Sequence, residues 1–307
     1  MVEEELARFS PEKETALTIG VFDGVHLGHQ HLIGYLTSQA QQKDLISGVI
    51  TFRCHPQHVL SPQTRLPYLT SLTERVNLLQ GVGVELVIPL SFTLELARVS
   101  ADEFVAWLRK HLKMRVLIVG PDFALGRGRE GDVFRLQSLG QEMGFSVVLV
   151  PPMVQGGEVI SSTAIRQALL QGDASKAKRL LGRPFSLSGE VVHGKARGRS
   201  LGFPTANLAV DTDQLVPADG VYVTKAYIGG EVFPSVTNIG RRPTFGGQER
   251  AIEVYLLEFK ADLYKQELKI EFLERLRGEK QFTSAEELAA QIRKDVEQAE
   301  VILGAGR

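Results

Sequence analysis

The feature that most constrains this chain is a change of rhythm near residue 181. Before it, short apolar runs at 16–21, 46–52, 86–89, 116–120 and 147–150 alternate with segments such as 73–80, 101–112 and 133–143. In those intervening segments the apolar residues recur at helical spacing. Continuous apolar strands are buried on both faces, and strands separated by helices pair in parallel. This half therefore predicts an α/β unit, a parallel sheet covered by helices on both sides. Ligands of such sheets gather at the carboxyl ends of strands, where the strand order reverses. After residue 181, runs at 187–192, 221–228, 232–238, 252–259 and 268–272 follow one another across Gly, Pro and Asp turns, with no helical segment between them. That pattern predicts an all-β unit, an antiparallel sheet or small barrel. A last helix closes the chain. Ser284 and Glu287 have the spacing of a capping box, and Leu288, Ile292 and Val296 form one apolar stripe. The change falls at Gly182-Arg183-Pro184, which divides the 307 residues into domains 1–183 and 184–307.

A formal net charge of -1 supplies no field that would hold nucleic acid or anionic lipid. Basic residues cluster only locally, at Arg127 and Arg129 and at Lys195, Arg197 and Arg199. Both clusters lie among glycines, a setting suited to small phosphates. The single cysteine, Cys54, permits no intrachain disulfide and points to a reducing compartment. The acidic segment 1–8 lacks the apolar centre of a secretory signal, and no apolar run approaches the roughly 18 to 20 residues of a membrane helix. The expectation is a cytoplasmic protein acting on small molecules, with no nucleic-acid or membrane partner. Nothing indicates oligomerisation.

The strongest local pattern is Gly20-Val-Phe22-Asp23-Gly24-Val-His26-Leu-Gly28-His29, between a strand and a helix. A helix N-terminus offers unpaired N–H groups to an anion, and glycines let a ligand approach the backbone. His26 and His29, three apart, share one side of the turn and can donate to a phosphate as charge develops. A zinc site is the competing reading, because His55-x-x-His58 echoes the pair. No second cysteine accompanies them, and Pro56 interrupts the second pair. Farther on, Ser161, Ser162 and Thr163 can cap a helix at 164–170, with Arg166 in its first turn as a planar fork for the same anion.

These residues resemble the signature of the HxGH nucleotidyltransferases, in the form found in bacterial bifunctional riboflavin kinase/FMN adenylyltransferases. The similarity continues through Thr51-Phe52-Arg-Cys-His55-Pro56, Gly120-Pro-Asp122-Phe123-Ala-Leu-Gly126 and Ile160-Ser161-Ser162-Thr163-Ala-Ile165-Arg166. It implies a Rossmann-like domain in which these pieces, Gly20, Phe22, Asp23, Gly24 and His55 among them, surround ATP and FMN. His26, His29, Ser162, Thr163 and Arg166 would hold the triphosphate, and Asp122 and Phe123 would line the FMN and nucleotide pocket.

The second half carries Gly194-Lys-Ala196-Arg197-Gly198-Arg-Ser-Leu-Gly202-Phe-Pro204-Thr205-Ala-Asn207. Read by itself, this is a Gly- and Arg-rich loop suited to folding over a nucleotide, followed by two hard oxygen donors suited to Mg²⁺. Turns commonly use the same residues. In the strand 252–259, Ile252, Val254 and Leu256 face one way, with Glu253 and Tyr255 on the other. A carboxylate at Glu253 can take a proton from a hydroxyl attacking a γ-phosphate.

This half is similar to the riboflavin kinase module of the same bifunctional family, a Greek-key barrel. Gly220-Val-Tyr222, Asn238-Ile-Gly240-Arg-Arg242-Pro243-Thr244-Phe245 and Asp262-Leu-Tyr264 stand in the family's order. The resemblance implies Thr205 and Asn207 at the Mg²⁺ of the nucleotide and Glu253 as catalytic base. It also implies that Gly194, Gly198, Gly202, Pro204, Asn238 and Arg242 belong to the flap and flavin-binding loops. Ala196 stands where the family has Gly, Tyr255 where it has His, and Lys265 where Gly often follows Asp-Leu-Tyr. Together the two resemblances imply Mg²⁺- and ATP-dependent conversion of riboflavin to FMN, and of FMN to FAD. A single-activity enzyme or a flavin-sensing binder is the alternative, against which stand His26, His29, Arg166, Thr205, Asn207 and Glu253, all present.

Overall fold

The computed structural model describes residues 2–63, 66–194, 202–244, 247–259 and 261–304, with the side chains of 242–249 outside the description. Its elements run α1 (Val2–Ala7), β1 (Thr15–Ile19), α2 (Leu27–Gln42), β2 (Ile46–Phe52), α3 (Pro56–Leu60), α4 (Leu72–Gly81), β3 (Leu86–Leu90), α5 (Ala101–Leu112), β4 (Met114–Val119), α6 (Val133–Met143) and β5 (Ser146–Leu149). A short hairpin, β6 (Val154–Gln155) and β7 (Glu158–Val159), precedes α7 (Ser162–Leu170) and α8 (Ala174–Leu181). Then come β8 (Phe185–Val192), β9 (Ala206–Val210), β10 (Gly220–Ile228), β11 (Glu231–Thr244), β12 (Gly247–Leu256), β13 (Glu267–Arg277) and α9 (Ala285–Gly304). Among the described residues no helix is long and apolar enough to cross a membrane.

The first unit is a five-stranded parallel sheet in the order β3-β2-β1-β4-β5. Its strands read as unbroken apolar runs because successive side chains feed two different cores. Leu17, Ile50, Leu117 and Val119 pack with Phe104 and Leu108 of α5 and Leu136 and Leu139 of α6. Their neighbours Ala16, Val49, Val116 and Ile118 pack with Ile33 and Leu36 of α2 and Leu79 of α4. The order reverses between β1 and β4, so the segments leaving Ile19 and Val119 emerge side by side at the carboxyl edge.

The second unit is a closed antiparallel barrel in the order β10-β11-β12-β9-β8-β13. Three hydroxyls lie inside it and satisfy one another: Thr224 Oγ1 is 2.7 Å from Ser235 Oγ and 2.8 Å from Thr237 Oγ1, all three residues fully buried. The final helix is capped as its spacing predicts, with Ser284 Oγ accepting from Glu287 N–H at 3.1 Å. The Glu287 carboxylate reaches back to Thr283 N–H at 2.9 Å, one residue before the N-cap. The stripe expected at Leu288, Ile292 and Val296 is only half-buried. The most buried residues are Ala289, Asp295 and Ala299, with Asp295 paired to Arg277.

Contacts divide the chain into units ending at Ser162 and beginning at Thr163. The change of rhythm at 181–184 marks where helices give way to strands. Yet α8 packs on β8 and β13, and Leu169 O of α7 accepts from Ala218 N–H, so both helices belong by contact to the barrel. Strand β9 falls in a stretch read from the sequence as a loop, and it carries Asn207.

Candidate active sites

In the parallel-sheet unit, the turn between β1 and α2 is held in an unfavourable conformation. Phe22 and Val25 have φ of 52° and 38°, and Gly24 has 83°. A β-branched residue such as Val25 adopts positive φ only where surrounding structure imposes it. Here the segment 69–75 does so. The buried Asp23 carboxylate accepts from Leu69 N–H and Thr70 N–H at 3.0 and 3.1 Å, and Thr70 Oγ1 accepts from Gly24 N–H at 3.1 Å. Asp23 thus braces the turn. Gly20 backs onto the Phe22 ring, and a Cβ at Gly28 would stand 3.0 Å from Ile160 O and 3.1 Å from His26 Nδ1.

The turn delivers two imidazoles. His26 is the N-cap of α2, its Nδ1 accepting from His29 N–H at 3.2 Å. The proton of the neutral His26 ring therefore sits on Nε2. The His26 and His29 rings stack with centroids 3.6 Å apart and planes 17° from parallel, and the Phe22 ring meets His29 edge-on. Burial, then the charge tendencies of His26 and Arg75, push the His29 pKa well below the ordinary value, so its ring is neutral. His29 Nδ1 is enclosed without a partner among the described protein groups.

Helix α7 begins at Ser162, two residues before the expected start, which places Ser162 and Thr163 inside its first turn and leaves Ser161 before it. Ser162 Oγ donates to Asp23 O at 2.9 Å, tying the helix start to the histidine turn. Arg166 is buried and, four residues on, shares the face of α7 that carries Ser162. From the neighbouring strand end, Phe123 packs half-buried on the sheet core while Asp122 is exposed, its carbonyl accepting from Arg129 at 2.7 Å. His55 caps α3, with Nδ1 accepting from Gln57 N–H at 3.1 Å. His58, the other half of the sequence's echo pair, has both ring nitrogens engaged, by Leu66 O at 2.9 Å and Tyr68 Oη at 3.3 Å.

In the barrel, Asn238 of β11, Glu253 of β12 and Asn207 of β9 stand in one cross-strand row. Directly opposed residues project from the same face. Ile239, Ile252, Val254 and Leu208 point into the barrel and are buried, whereas Asn207, Asn238 and Glu253 are half-buried on the other face. Asn207, Thr205, Pro204 and Gly194 line a cleft of about 550 Å³ that also meets Phe259 and Tyr264. The Asn207 amide lies against the backbone of Gly194, where any Cβ would collide with it. The Tyr264 ring stacks on His193 at 3.8 Å. Tyr255 meets Phe203 edge-on at 5.4 Å, anchoring the chain just before Pro204. Lys265 has φ 63°, a conformation that glycine adopts freely, which gives a physical reason for Gly at that position in the family. Gly202 is exposed with φ 84°. Gly198 and Ala196, together with the Arg242 side chain, lie outside the described residues.

Two residues that hold the histidine turn have no place in the sequence motifs: Thr70 and above all Arg75. One signal was present. Arg75 and Leu79 are four apart on α4 and both are fully buried, so a cation occupies a position on an apolar stripe.

Comparison with known proteins agrees with this division. A family model described as FAD synthetase matches residues 9–164, and one described as riboflavin kinase matches 181–303. The bifunctional riboflavin kinase/FMN adenylyltransferase of Escherichia coli (strain K12) is 40% identical over 288 residues, 93% of this chain and 92% of the relative. That of Bacillus subtilis (strain 168) is 36% identical over 293 residues, 94% and 92% of the two chains. A crystal structure from Streptococcus pneumoniae, described as a macrolide-efflux protein, superposes with TM-score 0.88 at 33% identity over 94% of this chain and 95% of its own. With both models matched in order and relatives aligned nearly end to end, the chain belongs to the bifunctional riboflavin kinase/FMN adenylyltransferase family.

Proposed function

We propose that the chain makes FAD from riboflavin in two ATP-dependent steps, each in its own unit. The barrel phosphorylates the 5′-hydroxyl of riboflavin, giving FMN and ADP. The parallel-sheet unit joins FMN to the adenylyl group of ATP, giving FAD and pyrophosphate. The observation that most supports the first step is the row Asn207–Glu253–Asn238 beside a cleft lined by Thr205 and Gly194. Glu253 takes the hydroxyl proton as the oxygen attacks the γ-phosphorus. Asn238 faces the flavin side, and Gly194, Gly202 and Pro204 border the nucleotide. The Thr205 hydroxyl and Asn207 carbonyl are a hard-oxygen pair that fits Mg²⁺, which when bound neutralises phosphate charge.

In the other unit, Nε2–H of His26 and the neutral His29 ring donate to the triphosphate, with Ser162 as a further donor beside the turn. Asp23 acts through the turn, and Phe22, His55, Asp122 and Phe123 shape the flavin and nucleotide pocket. Both steps work by in-line positioning and preorganised charge, with no covalent enzyme intermediate. The reading places the enzyme in the cytoplasm, where ATP is abundant and the one thiol stays reduced.

The test is to incubate the protein with riboflavin, ATP and Mg²⁺ and separate the flavins by chromatography. Sequential FMN and FAD are expected. FMN without FAD would overturn the adenylyltransferase assignment, and flavin bound without conversion would make the chain a binder.

A further inference from the structure

Arg75 lies outside the residues so far assigned to chemistry, yet it is the largest fully buried side chain of the described residues, 1% exposed beneath the histidine turn. One guanidinium nitrogen, Nη1, donates to Val21 O at 3.0 Å, to Thr51 Oγ1 at 3.2 Å and to Phe52 O at 2.8 Å. Thr51 Oγ1 in turn donates to Val21 O at 2.8 Å. Val21 precedes the first positive-φ residue of the turn, and Phe52 ends β2. The contacts therefore pin the start of the histidine turn to the carboxyl end of β2. The guanidinium also stands 5.6 Å over the Tyr68 ring, while its Nε has no partner among the described residues.

A buried cation is costly unless it is hydrogen-bonded, and here its hydrogen bonds go to the Val21 carbonyl at the start of the histidine turn and to the Thr51 hydroxyl and Phe52 carbonyl at the end of β2. We infer that Arg75 is a positioning residue of the adenylyl-transfer site: its guanidinium locks the strained Phe22–Val25 turn onto the end of β2 and so sets where the His26 and His29 rings meet the phosphates. The inference rests on the reading of this unit as the adenylyltransferase. Burial is the first cause of the lowered His29 pKa, and the stacked His26 and then Arg75 add to it. The positive charge of Arg75 thus reinforces, rather than creates, the neutral state of the ring.

The test uses the full chain carrying Arg75→Met and, separately, Arg75→Lys and Thr51→Val, with riboflavin phosphorylation by the barrel as an internal control. Arg75→Met is expected to lower kcat for FAD formation by roughly ten- to a hundredfold, with KM for FMN within about twofold, the size of effect a misplaced catalytic group produces. Arg75→Lys keeps the charge and recovers part of the loss. In ¹³C-labelled protein, the His29 imidazole of Arg75→Met titrates at higher pH than in the parent and higher than in Arg75→Lys, which keeps the charge; a shift of equal size in both variants would be loosened packing alone and would count against the inference. A parent-like kcat in Arg75→Met, or a His29 titration that stays put or moves down, would overturn the inference. Should Arg75→Met fail to fold, Thr51→Val decides. A severalfold loss of FAD formation with kinase activity intact supports the clamp, and no loss refutes it. If the parent itself makes no FAD, the functional reading fails, while the His29 titration still reports on the clamp.

Discussion

Glu253 and Asn207 are directly opposed where β12 pairs with β9, so the carboxylate and the amide project side by side from one face of the barrel. That adjacency joins the group that would take a proton to the group that would hold the metal-bound nucleotide. Glu253→Gln keeps the shape and removes the base. Riboflavin phosphorylation is expected to fall by about 10²- to 10⁴-fold, and FAD formation from supplied FMN to stay within about twofold. Loss of both activities would contradict independent sites.

Asn207→Ala tests the other half of the pair. The side chain packs on Gly194 and lines the cleft, so its removal should raise the Mg²⁺ concentration needed for half-maximal kinase activity. Titrating Mg²⁺ at fixed ATP reads this directly. An unchanged Mg²⁺ dependence would take Asn207 out of the metal site.

The depressed pKa of His29 has a consequence for stability. Above about pH 6.5 the ring is neutral both folded and unfolded. As pH falls below that value, the unfolded chain takes up a proton that the folded one resists, so stability is lost progressively toward the lower folded pKa. His29→Asn should flatten this dependence between pH 7.5 and 5.5. Urea unfolding followed by the fluorescence of Trp107, the only tryptophan and one that lies in the parallel-sheet unit, is the measurement.

Lys265 tests backbone strain in the barrel. Its φ of 63° is expensive for any side chain, so Lys265→Gly should stabilise the barrel by about 1 kcal/mol, the left-handed penalty partly offset by glycine's entropy. A lower midpoint for loss of kinase activity on heating would refute it.

Arg277 and Asp295 form a bidentate pair, with Nη2–Oδ2 at 2.8 Å and Nε 3.1 Å from each oxygen, the two side chains 15% and 5% exposed. Arg277→Met leaves the buried Asp295 carboxylate without its counter-charge, with only Gln291 Nε2 still donating to it at 2.9 Å, and should cost about 3 kcal/mol. Arg277→Met with Asp295→Leu should recover most of it. Thermal loss of kinase activity reports both, with Trp107-detected unfolding unaffected.

The pair also shows where sequence patterning stops. Leu288, Ile292 and Val296 are the apolar stripe of α9, yet the most buried positions include Asp295, because a cation on β13 makes that burial tolerable. No periodicity in α9 announces Arg277. Lys265 is the opposite case: a departure from the family pattern that only its backbone conformation turns into a physical statement.

By itself the sequence determined the two architectures, the strand-to-helix turn with its paired histidines, and the presence of Glu253 on the polar face of a strand. These follow from local periodicity and local chemistry: alternation assigns faces, and glycines and capping residues mark turns. Only the tertiary structure decided that β9 exists and pairs with β12, which sets Asn207 beside Glu253. It likewise decided that α7 and α8 pack with the barrel, and that Arg75, 46 residues after His29, clamps the turn bearing the histidines. Register and burial depend on contacts between segments far apart in the chain, and a buried arginine looks like any other until its carbonyl partners are in place.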